Sequence, residues 1–277
     1  NVIVKNRAQV FGYYDHNMLV MSERVSDHLP KSKKYTPKQR LWYIRSKEVI
    51  ISSGSIERPI IFGNNDTPGV VLASAAKEYL KVYGVLFGKK PLIFTNNDSA
   101  YETAIEFKKN GILPVILDSR VNPSSEIINE AKNLGIEIQF SHVVVAAKGY
   151  KKVKSAEIAK ISDDKKNLEE IKNIQCDCIC VSGFWTPTIH LASQSGNKTK
   201  FNQDIDAFVP NKPKQKETTL GSANGVFTLE ETLKTSFEAG TKISKKITNK
   251  ENTILIPKVS EKKNSKHDKF WCVPLPK

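Results

Sequence analysis

The stretch PLIFTNNDSAYETAIEFKKNGILPVILD, residues 91–118, decides the fold class of this chain. An apolar run at 91–94 ends in a polar turn, an amphipathic segment then stops at Gly111, and a second apolar run ends in Asp118. Short apolar runs that alternate with helical segments indicate parallel strands joined by right-handed crossovers. The stretch therefore predicts an α/β fold built on a parallel sheet.

The same alternation continues on both sides of this stretch. PSSEIINEAKNLG predicts a second helix, with Ser124 or Ser125 as its N-cap and Gly135 as its end. Residues 66–84 predict an earlier helix, which Gly84 ends. The alternation of strand and helix therefore runs from residue 66 to a third strand in IEIQFSHVVVAAKGY, residues 136–150, after which a meander is expected.

The turn TNNDSAYETA, residues 95–104, stands where a dinucleotide-binding unit carries G-x-G-x-x-G. Asn96, Asn97 and Ser99 replace the glycines, so the turn can form but close approach of a pyrophosphate is not expected. Asp118 follows at the position that binds ribose in a Rossmann unit. Two interpretations stay open, a degenerate domain kept for its structure, which we favour, and an active cofactor site.

A second candidate site is VIISSGSIERP, residues 49–59, where a buried strand ends in Ser53 and Gly54. Small residues at a strand end let a ligand approach the backbone closely. Glu57 and Arg58 follow, and an arginine can donate two parallel hydrogen bonds to a phosphate or carboxylate. A tight turn with a surface arginine explains these residues equally well.

A third candidate is TLGSANGVFTLEETL, residues 219–233, where Gly221, Ala223 and Gly225 precede an amphipathic helix. The free N–H groups and the dipole of a helix N-terminus attract anions, so the segment predicts an anion site. His190 is the most tempting catalytic residue, but no nucleophile and acid stand out as its partners. A structural role is favoured for His190, and likewise for His16 and His28.

The cysteines predict neither a metal site nor a disulfide scaffold. Cys176, Cys178 and Cys180 alternate, which places them on one face of a strand, whereas zinc sites use C-x2-C pairs in loops. Small buried residues are the favoured interpretation, and reduced thiols fit a cytoplasmic location. No apolar run approaches the roughly 20 residues of a membrane helix, so no membrane association is expected.

The formal net charge of +14 allows a nucleic-acid partner. The lysines are scattered except near 31–34, 212–216 and 258–266, and aromatic residues do not interleave these runs as in single-strand binding surfaces. A solvated surface is therefore favoured, and no nucleic-acid partner is expected. A basic, non-enzymatic nucleic-acid-binding protein stays the alternative of a different class.

Five stretches together resemble the alpha subunits of heterotetrameric sarcosine oxidases, over nearly the whole chain: FGYYDHNMLVMSERV, IISSGSIERPIIFGNNDTPGVVLASA, IFTNNDSAYETA, VSGFWTPTIHLASQSG and GSANGVFTLEETL. Ser52 and Ser53 replace Ala-Thr in the A-T-G motif of two-dinucleotide-domain flavoproteins, and GSANG stands where such proteins carry G-D. The resemblance implies two Rossmann-like domains of the FAD/NAD(P)-binding flavoprotein type, the second inserted in the first.

The resemblance also implies where the domains begin and end. The first is expected at 1–66 and 176–250, the inserted one at 67–175, and a linker toward a C-terminal domain at 251–277. The family's glycine fingerprint is expected upstream of Asn1, and its folate-binding region after FWCVPLPK. The chain is thus expected to be a central fragment that is inactive alone.

The activity implied by the resemblance is oxidative demethylation of sarcosine to glycine. Electrons would pass through flavins to oxygen, and the one-carbon unit would pass to tetrahydrofolate bound in the C-terminal region. This subunit type binds NAD without turning it over, shares FMN with the beta subunit and leaves FAD and the amine to that subunit; gamma- and delta-type subunits complete the complex.

The resemblance assigns cofactor contacts to eight residues and no catalytic role to any residue of this chain: Ser53, Gly54, Glu57, Arg58, Gly221, Ala223, Asn224 and Gly225. Because the substrate lies in a partner chain, a related flavin-dependent amine, proline or opine dehydrogenase is the alternative enzyme.

Overall fold

The computed structural model describes residues 2–31, 34–250, 255–261 and 264–274. Its strands are β1 (Ala8–Tyr14), β2 (Met18–Arg24), β3 (Gln39–Arg45), β4 (Val49–Ile51), β5 (Ser55–Glu57), β6 (Val70–Leu72), β7 (Pro91–Thr95), β8 (Val115–Asp118), β9 (Glu137–Phe140), β10 (His142–Lys148), β11 (Ser155–Ile161), β12 (Leu168–Gln175), β13 (Cys178–Ser182), β14 (Trp185–Pro187), β15 (Lys198–Asn202), β16 (Ala207–Lys212) and β17 (Glu217–Thr219). Its helices are α1 (Ala73–Tyr83), α2 (Ser99–Lys109), α3 (Glu126–Asn133), α4 (His190–Gln194) and α5 (Leu229–Thr248), and a 3₁₀ turn covers Gly221–Asn224.

The chain divides into two compact units. Unit 1 comprises Asn1–Ile56 and Thr186–Glu261, and unit 2 comprises Glu57–Trp185 and Lys262–Lys277. These boundaries differ from the expected ones. Ile60, Phe62 and β13 belong to unit 2 because their side chains pack into its core. Residues from 264 to 274 also lie in unit 2, although they were expected to be linker.

Unit 2 is built around β7, the central strand of a five-stranded parallel sheet of order β6-β13-β7-β8-β9. Every residue of β7 is buried, as in a strand covered on both faces. Ile93 faces the helices and packs in one cluster with Tyr101. Leu92 and Phe94 face the opposite side and pack with Ile158 of the antiparallel sheet β10-β11-β12. The predicted parallel α/β arrangement is confirmed.

The predicted helix over 66–84 is too long at its start. Gly69 adopts φ 106°, and Val70–Leu72 then pair in parallel register with β13 as strand β6. The helix α1 begins only at Ala73, because the β-branched pair before it completes the sheet edge. Gly84, with φ 64°, ends the helix as predicted.

Cys176, Cys178 and Cys180 are buried but do not share one face, and Cys272 is exposed. Cys178 and Cys180 pack on the helix side of β13, with 3.6 Å between their Sγ atoms. Cys176 packs in the cluster on the other side, so the predicted common face is wrong for this residue. The reason is that β13 begins only at Cys178, and strand alternation does not extend back to Cys176. Burial raises the pKa of Cys176 to about 12, which keeps this thiol protonated and inert.

Unit 1 contains an antiparallel meander β1-β2-β3, the hairpin β15-β16 and the parallel pair β17-β4. Its buried cluster consists of Tyr13, Val49, Ile51 and Ala192. The Tyr13 hydroxyl donates to Asn17 Oδ1 at 2.9 Å, which satisfies the buried phenol. Within the described ranges, no helix is long and apolar enough to cross a membrane.

Candidate nucleotide site

The two small-residue segments follow neighbouring parallel strands of unit 1. Thr219 at the end of β17 lies opposite Ile51 at the end of β4, and Leu220 N donates to Ile51 O at 2.9 Å. Parallel strands present their carboxyl ends at one edge. Ser53 and Gly54 therefore begin at the same edge as the segment that starts at Gly221.

The segment after β4 is a turn with open space above its backbone. Gly54 has φ 77°, and a Cβ added to it would meet no atom within 4 Å. Ser53 Oγ donates to Thr188 O at 2.7 Å, and Thr188 N donates to Gly54 O at 3.0 Å. These two bonds hold the turn from one side and leave the outer side of Gly54 accessible to a ligand.

The segment after β17 is a tight 3₁₀ turn between two left-handed glycines. Gly221 has φ 63° and Gly225 has φ 79°. The left-handed backbone at Gly225 favours glycine, and an added Cβ would lie 2.9 Å from Ile205 Cδ1, which would have to shift. Ala223 is fully buried whereas Asn224 is exposed. The turn thus presents mainly its backbone and Asn224 to the outside.

The anion position predicted at the start of α5 is already occupied. Thr228, the N-cap, makes no side-chain cap hydrogen bond. Instead, Glu261 Oε2 accepts from Leu229 N at 2.8 Å and from Glu230 N at 3.3 Å. A carboxylate is the group that a helix N-terminus favours. The helix therefore attracts an anion as predicted, but that anion is a side chain of the same chain.

Glu57 and Arg58 lie in unit 2 and have partners there. Glu57 Oε2 accepts from Ser74 N at 2.8 Å, in the first turn of α1, and from Ser74 Oγ at 2.6 Å. Burial raises the pKa of Glu57, although hydrogen bonds from Ser74 and Ser182 oppose this shift. Arg58 Nη2 donates to Trp185 O at 3.2 Å, and its guanidinium lies 4.6 Å from the Trp271 ring centroid. Both side chains hold unit 2 together.

The turn after β7 binds groups of the protein itself. Asn97 Oδ1 accepts from Ser99 N at 2.9 Å, which caps the first turn of α2. Asp118, at the predicted ribose position, is fully buried and accepts from Tyr101 OH at 2.7 Å. Arg120 Nη2 lies 2.7 Å from the same carboxylate. These contacts favour the interpretation of this turn as a degenerate dinucleotide site.

The histidines form no reactive group. His190 is exposed at the start of α4, and His16 has φ 61° between β1 and β2. His28 Nδ1 lies 3.7 Å from the Asp27 carboxylate. In the part of the chain that the structure describes, no three His, Cys, Asp or Glu side chains are arranged to hold a metal ion. We assign none of these histidines a role in chemistry.

Two features escaped the sequence analysis, the cap that Glu261 supplies to α5 and the partners of Arg58. Glu261 lies 32 residues beyond Leu229, and Trp271 lies far beyond Arg58 in a Lys-rich segment that was expected to be linker. The sequence pointed the other way, because Thr228 followed three residues later by Glu231 is a capping-box pattern, and only the structure shows that Thr228 makes no side-chain cap hydrogen bond.

No protein-family model matches the chain. The chain is 32% identical over 237 residues to sarcosine oxidase subunit alpha of Corynebacterium sp. (strain P-1), which covers 84% of this chain and 24% of that protein. It is 33% identical over 225 residues to the subunit of the same name from Rhizobium meliloti (strain 1021), which covers 80% and 22%. The predicted resemblance is confirmed, and the chain spans about a quarter of the length of these relatives.

Solved structures show the fold. Thioredoxin reductase of Lactococcus lactis matches with a TM-score of 0.54 and 14% identity, over 80% of this chain and 67% of that one. L-proline dehydrogenase from P. horikoshii matches with a TM-score of 0.51 and 18% identity, over 91% of this chain and 46% of that one. The predicted fold of FAD/NAD(P)-binding flavoproteins is confirmed.

Proposed function

From this similarity to sarcosine oxidase alpha subunits, we propose that the chain is the dinucleotide-binding part of such a subunit, in a flavin-dependent oxidoreductase that acts on an amine. The observation that carries the proposal is the parallel pairing of β4 with β17. It brings two segments of small residues to one edge of unit 1, where nucleotides bind in open α/β sheets.

The residues at this edge fit a nucleotide such as NAD. The space above Gly54 is open, whereas Gly221 is buried and a Cβ on it would touch Thr232 Cγ2 at 3.4 Å, so Gly221 shapes the turn through its left-handed backbone. Ser53, Asn224 and Gly225 complete the proposed contact surface, whereas Ala223 is fully buried and is not part of it. In this proposal the two segments bind the nucleotide through their backbones. Their small residues leave space for the sugar and the phosphates to approach closely.

In this proposal the chemistry of the complex takes place in partner chains. A flavin supplies a two-electron acceptor when it is bound, and the protein supplies orientation and electrostatics. We propose that FMN is shared with a beta-type subunit that holds FAD and oxidises sarcosine, with oxygen as the final acceptor. We propose further that the complex contains gamma- and delta-type subunits, uses tetrahydrofolate and is cytoplasmic. This chain supplies the dinucleotide-binding scaffold.

A matched pair of glycines tests the proposed site. Gly54 and Gly111 have φ 77° and 78°, and neither would bring a Cβ within 4 Å of another atom. Asparagine tolerates this backbone conformation, so Gly54→Asn and Gly111→Asn should fold equally well. Only Gly54→Asn places a side chain over the proposed site.

The measurement is mass spectrometry of small molecules released from the purified full-length complex. We expect NAD in the wild type and in Gly111→Asn, and at least a tenfold loss, about 1.4 kcal/mol, in Gly54→Asn. Equal NAD content in the two variants would place the dinucleotide elsewhere. Turnover of sarcosine compared with proline and opines, by the same complex, decides between the sarcosine oxidase and the related dehydrogenases.

A further inference from the structure

Unit 2 contains the crevice in which a Rossmann-type unit binds its dinucleotide. The chain runs from β7 to β8 and β9 on one side, while β13 pairs with β7 on the other side. Ligands of open α/β sheets bind where the strand order reverses in this way, beyond the carboxyl ends of the two strands. Here that place lies beyond Thr95 and Ser182. Residues 264–273, which we call the strap, run along it.

Asn96 binds the strap through its side-chain amide and through its backbone carbonyl. Its Nδ2 donates to Asp268 O at 2.8 Å and to Phe270 O at 3.0 Å. Its backbone O accepts from Asp268 N at 2.9 Å. Asn96 is fully buried, so these bonds replace water that the amide would otherwise need. Both side-chain N–H groups of Asn96, which stands in the degenerate phosphate turn, are therefore used by the strap.

Further contacts fix the strap along its length. Ser265 N donates to Asp98 Oδ2 at 2.6 Å, and Trp271 Nε1 donates to Gly183 O at 2.8 Å. The rings of His267 and Phe184 stack at 4.0 Å.

The end of the strap is buried in the core of unit 2. Phe270 and Val273 are 5% and 6% exposed and belong to the cluster behind the sheet. Ile61 N donates to Trp271 O at 2.8 Å, and Val273 N donates to Ile61 O at 2.9 Å. Apolar burial and backbone pairing of this kind are typical of a permanent structural element.

The charges beneath the strap disfavour a pyrophosphate. Arg120 Nη1 lies 2.8 Å from Asp98 Oδ1, and Arg120 Nη2 lies 2.7 Å from Asp118 Oδ2. The three side chains are at most 6% exposed, and the cluster holds one more carboxylate than guanidinium. A phosphate in this crevice would meet buried carboxylates instead of free donors. At the start of α2, Ser99 N is already bound by Asn97 Oδ1.

We propose that the strap is the resident occupant of the unit 2 crevice, and that unit 2 holds this segment of its own chain in place of a nucleotide. The chain then has one dinucleotide site, at the edge of β4 and β17 in unit 1, and none in the parallel sheet of unit 2. The inference of one dinucleotide site per chain rests on the proposed function. The occupancy of the unit 2 crevice by the strap is independent of that function.

Hydrogen–deuterium exchange of the full-length protein tests the strap. We expect residues 268–273 to exchange slowly in the wild type. Asn96→Ala should accelerate their exchange by about tenfold or more, because it removes two hydrogen bonds to the strap. Asn122→Ala, the same change at an exposed position in unit 2, should leave the strap protected.

Trp271→Phe is the second variant, in case Asn96→Ala fails to fold. It removes the bond to Gly183 O but keeps an aromatic ring, and it should also accelerate exchange of the strap. Rapid exchange of the strap in the wild type, or unchanged exchange in both variants, would overturn the proposal.

Saturating NAD⁺ should leave strap exchange unchanged, and equilibrium dialysis should find one NAD⁺ per chain, lost in Gly54→Asn. Faster strap exchange with NAD⁺, or two NAD⁺ per chain, means that a nucleotide displaces the strap and ends the proposal. No NAD⁺ binding at all, with the strap still protected, would count against the proposed function and support the strap.

Discussion

Thr219 lies directly opposite Ile51 where β17 and β4 pair in parallel. This register aligns the starts of two loops that are separated by more than 160 residues of sequence, Ser53–Gly54 and Gly221–Gly225. The candidate site is therefore a product of strand pairing, and its geometry depends on a ladder of three residue pairs.

Ile51→Ala is expected to disturb both the fold of unit 1 and the site. Ile51 is 5% exposed and packs with Tyr13, so its truncation should lower the free energy of unfolding by about 2–5 kcal/mol. The same change at Ile50, which is 47% exposed, should cost about 0.5 kcal/mol or less. Urea denaturation measures both. Equal losses in the two variants would show that β4 is not packed as described.

Glu261→Gln is expected to weaken the cap of α5 and to remove the negative charge at this position. Amide exchange at Leu229 and Glu230 should become faster, because the amide side chain is a weaker acceptor than the carboxylate. If dinucleotide phosphates approach this edge, the NAD affinity of the variant should rise. Glu238→Gln, an exposed change farther along α5, is the control and should alter neither quantity.

Glu57 should make stability depend on pH. Burial raises its folded-state pKa above the unfolded value, so the folded state binds the proton more tightly. The contribution of Glu57 to the free energy of unfolding is fully present below its pKa in the unfolded state, and it is lost as the pH rises through its pKa in the folded state. Glu57→Gln should remove this loss, and Glu78→Gln, an exposed change on α1, the helix whose first turn Glu57 binds, should retain it. Urea denaturation as a function of pH tests this; parallel curves for the wild type and Glu57→Gln would contradict it.

Arg120→Met is expected to destabilise unit 2 strongly. It leaves the carboxylates of Asp98 and Asp118 buried without their counter-ion, which typically costs about 3–5 kcal/mol. Lys109→Met breaks an exposed pair with Glu130 and should cost under about 1 kcal/mol. The comparison uses urea denaturation of the two variants; similar small losses would mean that Arg120 does not neutralise the pair.

The periodicity of the chain was sufficient to predict much of unit 2. The strand–helix–strand order over residues 91–118 follows from local alternation of apolar residues, and Gly111 and Ser125 mark helix ends through local backbone preferences. The prediction failed at 66–84, where Val70–Leu72 join a strand that lies more than 100 residues away. A three-residue strand carries too little pattern to be separated from the helix that follows it.

The sequence by itself determined the parallel α/β core and the two small-residue segments, because both depend on neighbours along the chain. Only the tertiary structure decided which partners the polar groups take. Glu57 binds the first turn of α1, and Glu261 binds the first turn of α5. Asn96 binds the strap, at a residue 172 positions away. Asn96 and the helix ends bind through main-chain carbonyls and amides, which every sequence carries, so no residue pattern marks these partners in advance.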